Sequence, residues 1–162
     1  MKELPQRKRI RLKNYDYSET GAYFITICTH NRIPYFGSVG ADSISARMIS
    51  QIFTETMDLY ENIHYYKYVI MPNHIHAIII LKHCDSEQRH TICEIVQTFK
   101  RRTTIESSNM VKQRILPPFD KKIWQRSFHD HIIRTEKRYH IISNYIDMNP
   151  TLWEKDRFYT KL

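Results

Sequence analysis

The sequence has few of the residues that build loop-rich or disulfide-bonded scaffolds. Among 162 residues there are only three glycines, six prolines and three cysteines. So little glycine and proline argues against a loop-dominated or low-complexity architecture. Cys28, Cys84 and Cys93 form no C-x-x-C pair, and their number is odd. These cysteines therefore argue against a disulfide framework and indicate a reducing compartment.

The sequence also lacks a long apolar run. No stretch approaches the roughly 20 apolar residues that a membrane-spanning helix needs. The N-terminal stretch is charged but no apolar segment follows it, which argues against a secretory signal. We therefore expect a cytoplasmic protein with no membrane partner.

Hydrophobic residues and positive charge are both plentiful. Hydrophobic residues make up 41% of the chain, which is enough to build the core of one domain. The net charge is +8, from 25 Lys and Arg against 17 Asp and Glu, and such a surface attracts polyanions, of which nucleic acid is the commonest. On charge alone, a nucleic-acid-binding protein and a merely basic soluble protein stay equally open.

Three segments have the aromatic and β-branched composition of strands. They are Ala22–Thr29, Tyr65–Met71 and His74–Leu81. A fourth segment, Ile123–Arg134, is ambiguous, because it has β-branched and aromatic residues but is also crowded with histidine and charge.

Apolar residues recur at helical spacing in three further segments. The predicted helices cover residues 42 to about 63, 91 to 102 and 135 to about 149. Thr91 and Glu94 form a capping box at the start of the second helix. Residues 107–122 contain two adjacent prolines and are interpreted as a loop. The order β-α-β-β-α-β-α predicts one α+β domain over residues 1–162, with helices mainly on one face of a central antiparallel sheet.

The sharpest chemical feature is a pair of histidines, His74 and His76, in a strand whose other residues are apolar. Residues two apart in a strand project to the same side, so the two imidazoles can bind one divalent ion. The alternative is a pair of hydrogen-bonded core histidines. A single histidine would favour that alternative, whereas the pair favours a metal.

A second feature is the spacing of Tyr145 and Asn149 in the last predicted helix. Residues four apart share a helix face, so a nucleophile and an oxygen ligand can lie beside the same ion. In the alternative interpretation, Tyr145 lies at the edge of the core and Asn149 caps the helix. Taken alone, this segment favours the alternative.

The combination of these motifs resembles a known family. The segments Tyr17–Gly37, Val69–Ile80 and Trp124–Trp153 resemble the single-tyrosine (HUH-type) transposases of the IS200 type, particularly the group associated with repeated extragenic palindromes. The specific elements are the His-hydrophobic-His signature and the Tyr-Ile-x-x-Asn-Pro helix, which occur here in the order and spacing of the family.

The resemblance implies a ferredoxin-like fold and assigns roles to four residues. His74 and His76 are expected to bind Mg²⁺ or Mn²⁺, and Asn149 to be the third protein ligand where many relatives have glutamine. Tyr145 is expected to be the catalytic nucleophile. Some family members are dimers that exchange the tyrosine helix and others are complete within one chain; we lean towards a homodimer.

The implied activity is cleavage and rejoining of single-stranded DNA near hairpin or palindromic elements, through a 5′-phosphotyrosine. Two alternatives stay open. One is a protein that binds single-stranded or hairpin DNA without cutting it. The other is a metal-dependent RNA nuclease that does not use Tyr145.

Several residues outside these motifs are candidates for DNA contacts. Phosphates can be contacted by a basic N-terminal arm over residues 1–13, which includes Arg9 and Arg11. The end of the second predicted helix offers a second basic group, Lys100, Arg101 and Arg102. Trp124 can stack on an unpaired base. The alternatives are a solvated terminus, a solvated helix end and a core tryptophan.

Overall fold

The structure is a computed structural model that describes residues 15–39, 43–84 and 89–161. The basic arm at residues 1–13, with Arg9 and Arg11, lies outside the described residues. The described residues form four strands and three α-helices. In chain order they are β1 (Gly21–Cys28), α1 (Ile44–Asp58), β2 (Ile63–Met71), β3 (His74–Leu81), α2 (Ile92–Lys112), β4 (His129–Ile133) and α3 (Glu136–Met148).

The four strands form one sheet in the order β2-β3-β1-β4, and every neighbouring pair is antiparallel. Each of the helices α1 and α2 connects two strands that are parallel to each other and separated by a third. This is the β-α-β-β-α-β arrangement of ferredoxin-like folds. The predicted α+β, ferredoxin-like fold is therefore confirmed, and β3 with its two histidines lies inside the sheet.

The two faces of the sheet are covered differently. Helices α1 and α2 pack on one face, where they bury most of the core. That core includes Tyr23, Ile25, Phe53, Ile75, Ile79 and Phe99. Helix α3 packs on the other face over a smaller cluster of Ile78, Ile142 and Ile146. Because side chains alternate along a strand, His74, His76 and Ile78 project together towards α3.

Each of the three helices begins at a residue whose side chain caps it. Ser43 and Thr135 each accept a backbone N–H in the first turn of α1 and α3. Thr91 and Glu94 form the expected capping box at the start of α2. None of the helices in the described ranges is both long and apolar enough to cross a membrane.

Helix α2 is longer than predicted. It continues to Lys112, so the interpretation of residues 107–122 as a loop is wrong for its first part. The hydroxyl groups of Thr104 and Ser108 donate to the carbonyl oxygens one turn before them, at 2.7 and 2.8 Å. Ser107 faces the core and is 4% exposed. Polar residues that satisfy their own hydrogen bonds in this way can continue a helix.

The segment after α3, residues 149–161, returns across the histidine face of the sheet. Its anchor is Asn73, in the tight turn between β2 and β3, whose amide Nδ2 donates to the carbonyl oxygen of Phe158 at 2.9 Å. Trp153 and Phe158 in this segment are buried. The ring of Phe158 lies 4.9 Å from that of His74 and 5.9 Å from that of His76, centroid to centroid.

Candidate active site

The two predicted histidines meet at their Nε2 atoms. The Nε2 atoms of His74 and His76 are 3.0 Å apart, and both residues are at most 1% exposed. Strand β3 gives both side chains the same direction, and Phe24 and Phe158 pack against the His76 ring. The pair is therefore a fixed, water-poor site rather than two surface residues.

Partners on the far side of each ring determine how the nitrogens are protonated. The Nδ1 atom of His74 lies 2.8 Å from Asn73 Oδ1, and that of His76 lies 2.8 Å from Thr26 Oγ1. Since Asn73 Nδ2 already donates to the carbonyl oxygens of Arg32 and Phe158, its Oδ1 must face His74. An amide oxygen only accepts, so His74 Nδ1 carries the hydrogen and its Nε2 keeps a lone pair.

The electrostatics keep both rings neutral. Burial, with a further contribution from His76, lowers the pKa of His74 to about 3. Burial also lowers the pKa of His76. Neutral imidazoles oriented by a partner on the other nitrogen are the form that binds divalent metals. The donor chemistry of the pair therefore fits a metal ion.

Helix α3 brings Tyr145 to this pair within the same chain. The phenolic oxygen lies 3.1 Å from His76 Nε2 and donates a hydrogen bond to Asp156 Oδ2 at 2.7 Å. Tyr145 remains 39% exposed, so its hydroxyl lies at the boundary between the buried pair and solvent. Burial raises the pKa of Tyr145, and the Asp156 carboxylate raises it further, so the phenol is protonated at neutral pH in this arrangement.

Contacts between β2 and α3 hold the tyrosine helix in place. Lys67 Nζ donates to Ser143 Oγ at 2.9 Å and pairs with Asp147 at 2.6 Å. The rings of Tyr66 and Tyr139 are 5.0 Å apart. These contacts fix the position of α3 along the sheet and hence the height of Tyr145 above the histidines.

Asn149, at the C-terminal cap of α3, also reaches the site. It is 2% exposed, and its Nδ2 donates to Asp156 Oδ2 at 2.7 Å. Its Oδ1 is buried and has no hydrogen-bond partner in the described part of the chain. The predicted oxygen ligand is thus beside the histidine pair, but the nitrogen of its amide faces Asp156.

Sequence reasoning missed Asp156. It lies in the segment after α3, and no periodicity or motif marks it. His74, His76 and Asp156 each offer one ligand atom, and these atoms all lie within 4.8 Å of one another. Burial alone would raise the pKa of this carboxyl group, but contacts with His76, Tyr145 and Asn149 outweigh burial and hold it below its usual range. The carboxylate is therefore ionised.

A cleft of about 640 Å³ opens beside Tyr145 and His76. Its walls come from β1, β4, α3 and the segment after α3, and include Phe24, His129, His131, Arg138 and Arg157. His129 and His131 pair with Thr26 and Phe24 in the sheet, so they project from the same face as His74 and His76. The cleft combines flat apolar surfaces with two guanidinium groups.

The predicted DNA-contacting residues of α2 lie on the opposite face of the sheet. Lys100 Nζ donates to the carbonyl oxygens of Gln125 and Ser127, at 2.9 and 2.8 Å. Arg102 pairs with Glu55 at 2.6 Å. Arg101 is exposed.

Trp124 is a core residue in this structure. It is 5% exposed, and its indole N–H donates to Thr103 Oγ1 at 2.8 Å. The structure does not bring it, or the three basic residues of α2, to the histidine pair. Their role in binding DNA stays a prediction.

A ferredoxin-like sheet that presents a His-x-His pair to a helix-borne tyrosine defines the HUH class of single-tyrosine DNA-processing proteins. The family model described as "Transposase IS200 like" matches residues 17–149, and the chain belongs to this family. An uncharacterized protein of Haemophilus influenzae is 33% identical over 174 aligned residues, covering 94% of this chain and 93% of that protein.

A solved structure has the same fold. A REP-associated tyrosine transposase bound to a REP hairpin superposes with a TM-score of 0.63 and 21% identity, covering 87% of this chain and 73% of that chain. The family match ends at Asn149, so Asp156 lies beyond the residues that the family model describes.

Proposed function

We propose that this transposase cleaves and rejoins single-stranded DNA near hairpins, with Tyr145 as the nucleophile that forms a 5′-phosphotyrosine. The observation that carries the proposal is the contact between the phenolic oxygen of Tyr145 and Nε2 of His76, at 3.1 Å within one chain. A tyrosine beside a buried, neutral histidine pair supports a phosphoryl-transfer site better than it supports a core contact.

The roles of the residues follow from their chemistry. His74 and His76, with Asn149 as an oxygen donor, would hold Mg²⁺ or Mn²⁺, which polarises a phosphodiester and offsets its charge when bound. The hydrogen bond from Tyr145 to Asp156 fixes the direction of the O–H bond and leaves lone pairs of the oxygen for attack. Attack forms the Tyr145 O–P bond and breaks the bond between phosphorus and the 3′-oxygen of the neighbouring nucleotide. The proton that Tyr145 loses balances the one that this oxygen gains when it leaves as a hydroxyl. Because the new ester keeps the energy of the phosphodiester, a 3′-hydroxyl can later reverse the reaction without ATP.

The cleft beside Tyr145 supports a single-stranded substrate. Arg138 and Arg157 can bind phosphates, and the ring of Phe24 and the histidines of β4 can contact an unpaired base. The net charge of +8 favours association with a polyanion, with an affinity that falls as salt rises.

The test is adduct formation. Purified protein with Mn²⁺ and a hairpin-bearing single-stranded oligonucleotide should give a covalent protein–DNA band on a denaturing gel. Tyr145→Phe should abolish the band, whereas Tyr66→Phe, which keeps its ring packing on α3, should not. His74→Ala and metal chelation should each abolish it.

Other outcomes would replace the proposal. An adduct that persists in Tyr145→Phe would reject this tyrosine as the nucleophile. Tight DNA binding with no adduct under any metal would indicate a non-cleaving hairpin-binding protein. Cleavage without an adduct, with RNA preferred over DNA, would indicate a metal-dependent RNA nuclease.

A further inference from the structure

We propose that Asp156 is a ligand of the catalytic metal, supplied by the segment after α3. Asn149 holds its carboxylate in place through Nδ2, while the buried Oδ1 of Asn149 stays available as a ligand. The inference rests on the proposed function only in that the metal is the ion that the transposase would use. Asp156 lies outside the family-matched residues, so this ligand comes from a part of the chain that the family pattern does not describe.

The donor atoms converge. Asp156 Oδ2 lies 3.9 Å from His76 Nε2, and the two histidines and this carboxylate fit within 4.8 Å. Two ligand atoms at about 2.1 Å from one ion are about 3 to 3.5 Å apart, so only a small closure separates the observed arrangement from a ligand set. The two Nε2 atoms, 3.0 Å apart, already have such a separation.

The negative charge of Asp156 also favours a cation at this site. The Asp156 side chain is 1% exposed. Its hydrogen-bond donors are the hydroxyl of Tyr145, the amide of Asn149 and the backbone N–H of Phe158, at 2.7, 2.7 and 2.6 Å. These donors orient the carboxylate but are all neutral. In the described ranges no Lys or Arg lies within ion-pair distance of it, so neutral donors hold the negative charge without a counter-charge.

A divalent cation between Asp156 and the histidines would supply that counter-charge. Carboxylate oxygen is the ligand that Mg²⁺ and Mn²⁺ prefer, and it binds them more strongly than a neutral carboxamide does. Two imidazoles with one carboxylate form a recurring donor set for divalent metals. The His74–His76 pair alone has no anionic member.

Asn73 orients His74 and also anchors the segment that carries Asp156. Asn73 accepts from His74 Nδ1 at 2.8 Å through Oδ1, and donates to the carbonyl oxygen of Phe158 at 2.9 Å through Nδ2. Phe158 is two residues after Asp156, and its backbone N–H donates to Asp156 Oδ1. The buried side-chain amide of Asn73 therefore links the position of the Asp156 carboxylate to that of His74.

Mn²⁺ binding to the full chain without DNA tests the proposal. The free Mn²⁺ signal in electron paramagnetic resonance, titrated with protein, gives the Kd. Asp156→Asn, which keeps the shape of the side chain but removes the charge, should raise the Kd by at least about tenfold. Asp156→Glu, which restores a carboxylate, should recover part of the affinity. Glu154→Gln changes the same charge at an exposed position of the same segment and should leave the Kd unchanged.

An unchanged Kd in Asp156→Asn, with the variant shown to be folded by its circular dichroism, would overturn the proposal. The proposed function fails separately. If His74→Ala also leaves the Kd unchanged, the histidine pair is not the metal site. If the parent forms the Tyr145 adduct while Asp156→Asn binds Mn²⁺ as well as the parent, only the assignment of Asp156 falls. If Asn149→Ala raises the Kd by the same factor in the parent and in Asp156→Asn, Asn149 does not act through Asp156 and that part of the proposal falls.

Discussion

Acid should destabilise the folded protein through His74. Burial lowers the pKa of His74 to about 3 in the folded state, whereas its value in an unfolded chain is close to 6.5. Between these two values the unfolded chain binds more protons than the folded protein, so the free energy of unfolding falls as the pH falls. The stabilisation from the neutral ring is complete above the pKa that His74 has in the unfolded chain. It is lost as the pH falls towards the pKa of His74 in the folded protein. Between about pH 7 and about pH 4.5 the loss from this residue is about 2.5 kcal/mol.

Urea denaturation of the metal-free protein at these two pH values measures the effect. His74→Asn still offers an N–H to Asn73 Oδ1 but does not titrate, so the parent should lose about 2.5 kcal/mol more than this variant on acidification. His140, whose side chain is 66% exposed on α3, gives the matched control. His140→Asn should lose as much as the parent. The same pH dependence in the parent and in His74→Asn would refute the assignment of a buried neutral ring.

Two further substitutions test how the site is held, and a third tests the position of Trp124 in the core. Lys67→Met removes the contacts with Ser143 and Asp147; it should cost about 1 kcal/mol in urea denaturation and slow formation of the Tyr145 adduct. Phe158→Ala removes a buried ring from beside the histidines and should cost about 3 to 5 kcal/mol by the same measurement, far more than Tyr159→Ala at its exposed neighbour. Trp124→Phe loses one buried hydrogen bond and should cost about 1 kcal/mol by the same measurement. Because the indole is buried in the core, the affinity for single-stranded DNA, measured by fluorescence anisotropy, should not change. A weaker affinity in the folded variant would support the predicted contact of Trp124 with DNA.

The strands and the helix starts could be predicted from sequence because their signals are local. Strands β1 and β3 are nearly continuous apolar runs, and each helix begins at a hydroxyl residue that caps it. The end of α2 could not be predicted in the same way. The adjacent Pro117 and Pro118 favour a loop over residues 107–122. Only the structure shows that the hydroxyl groups of Thr104 and Ser108 are bonded one turn back and that Ser107 faces the core.

The candidate site was predictable in pieces but not as a whole. His74 and His76 are two residues apart, and Tyr145 and Asn149 are four apart, so each pair is visible as a pattern. Tyr145 and His76 are 69 residues apart, and their contact was expected only because the motifs together resembled a family. Asp156 belongs to no such pattern.

Distance along the chain also explains the basic residues of α2. A lysine that binds phosphate and one that anchors a loop look the same in sequence. The carbonyl partners of Lys100 lie 25 and 27 residues away, and the carboxylate partner of Arg102 lies 47 residues away. Only the fold shows that these two cations already have partners within the chain.

Asn73 explains why His74 and Asp156, which are far apart in the chain, lie at the same site. It is the second residue of the two-residue turn Pro72–Asn73 and is fully buried. The oxygen of its side-chain amide accepts from His74, and the nitrogen donates to the backbone of the segment after α3. Aspartate could accept from His74 but could not donate to Phe158, and alanine could do neither. The orientation of the first histidine and the placement of Asp156 are therefore not independent. Substitutions of Asn73, His74 and Asp156 should have non-additive effects on metal affinity, because each removes part of one connected hydrogen-bond network.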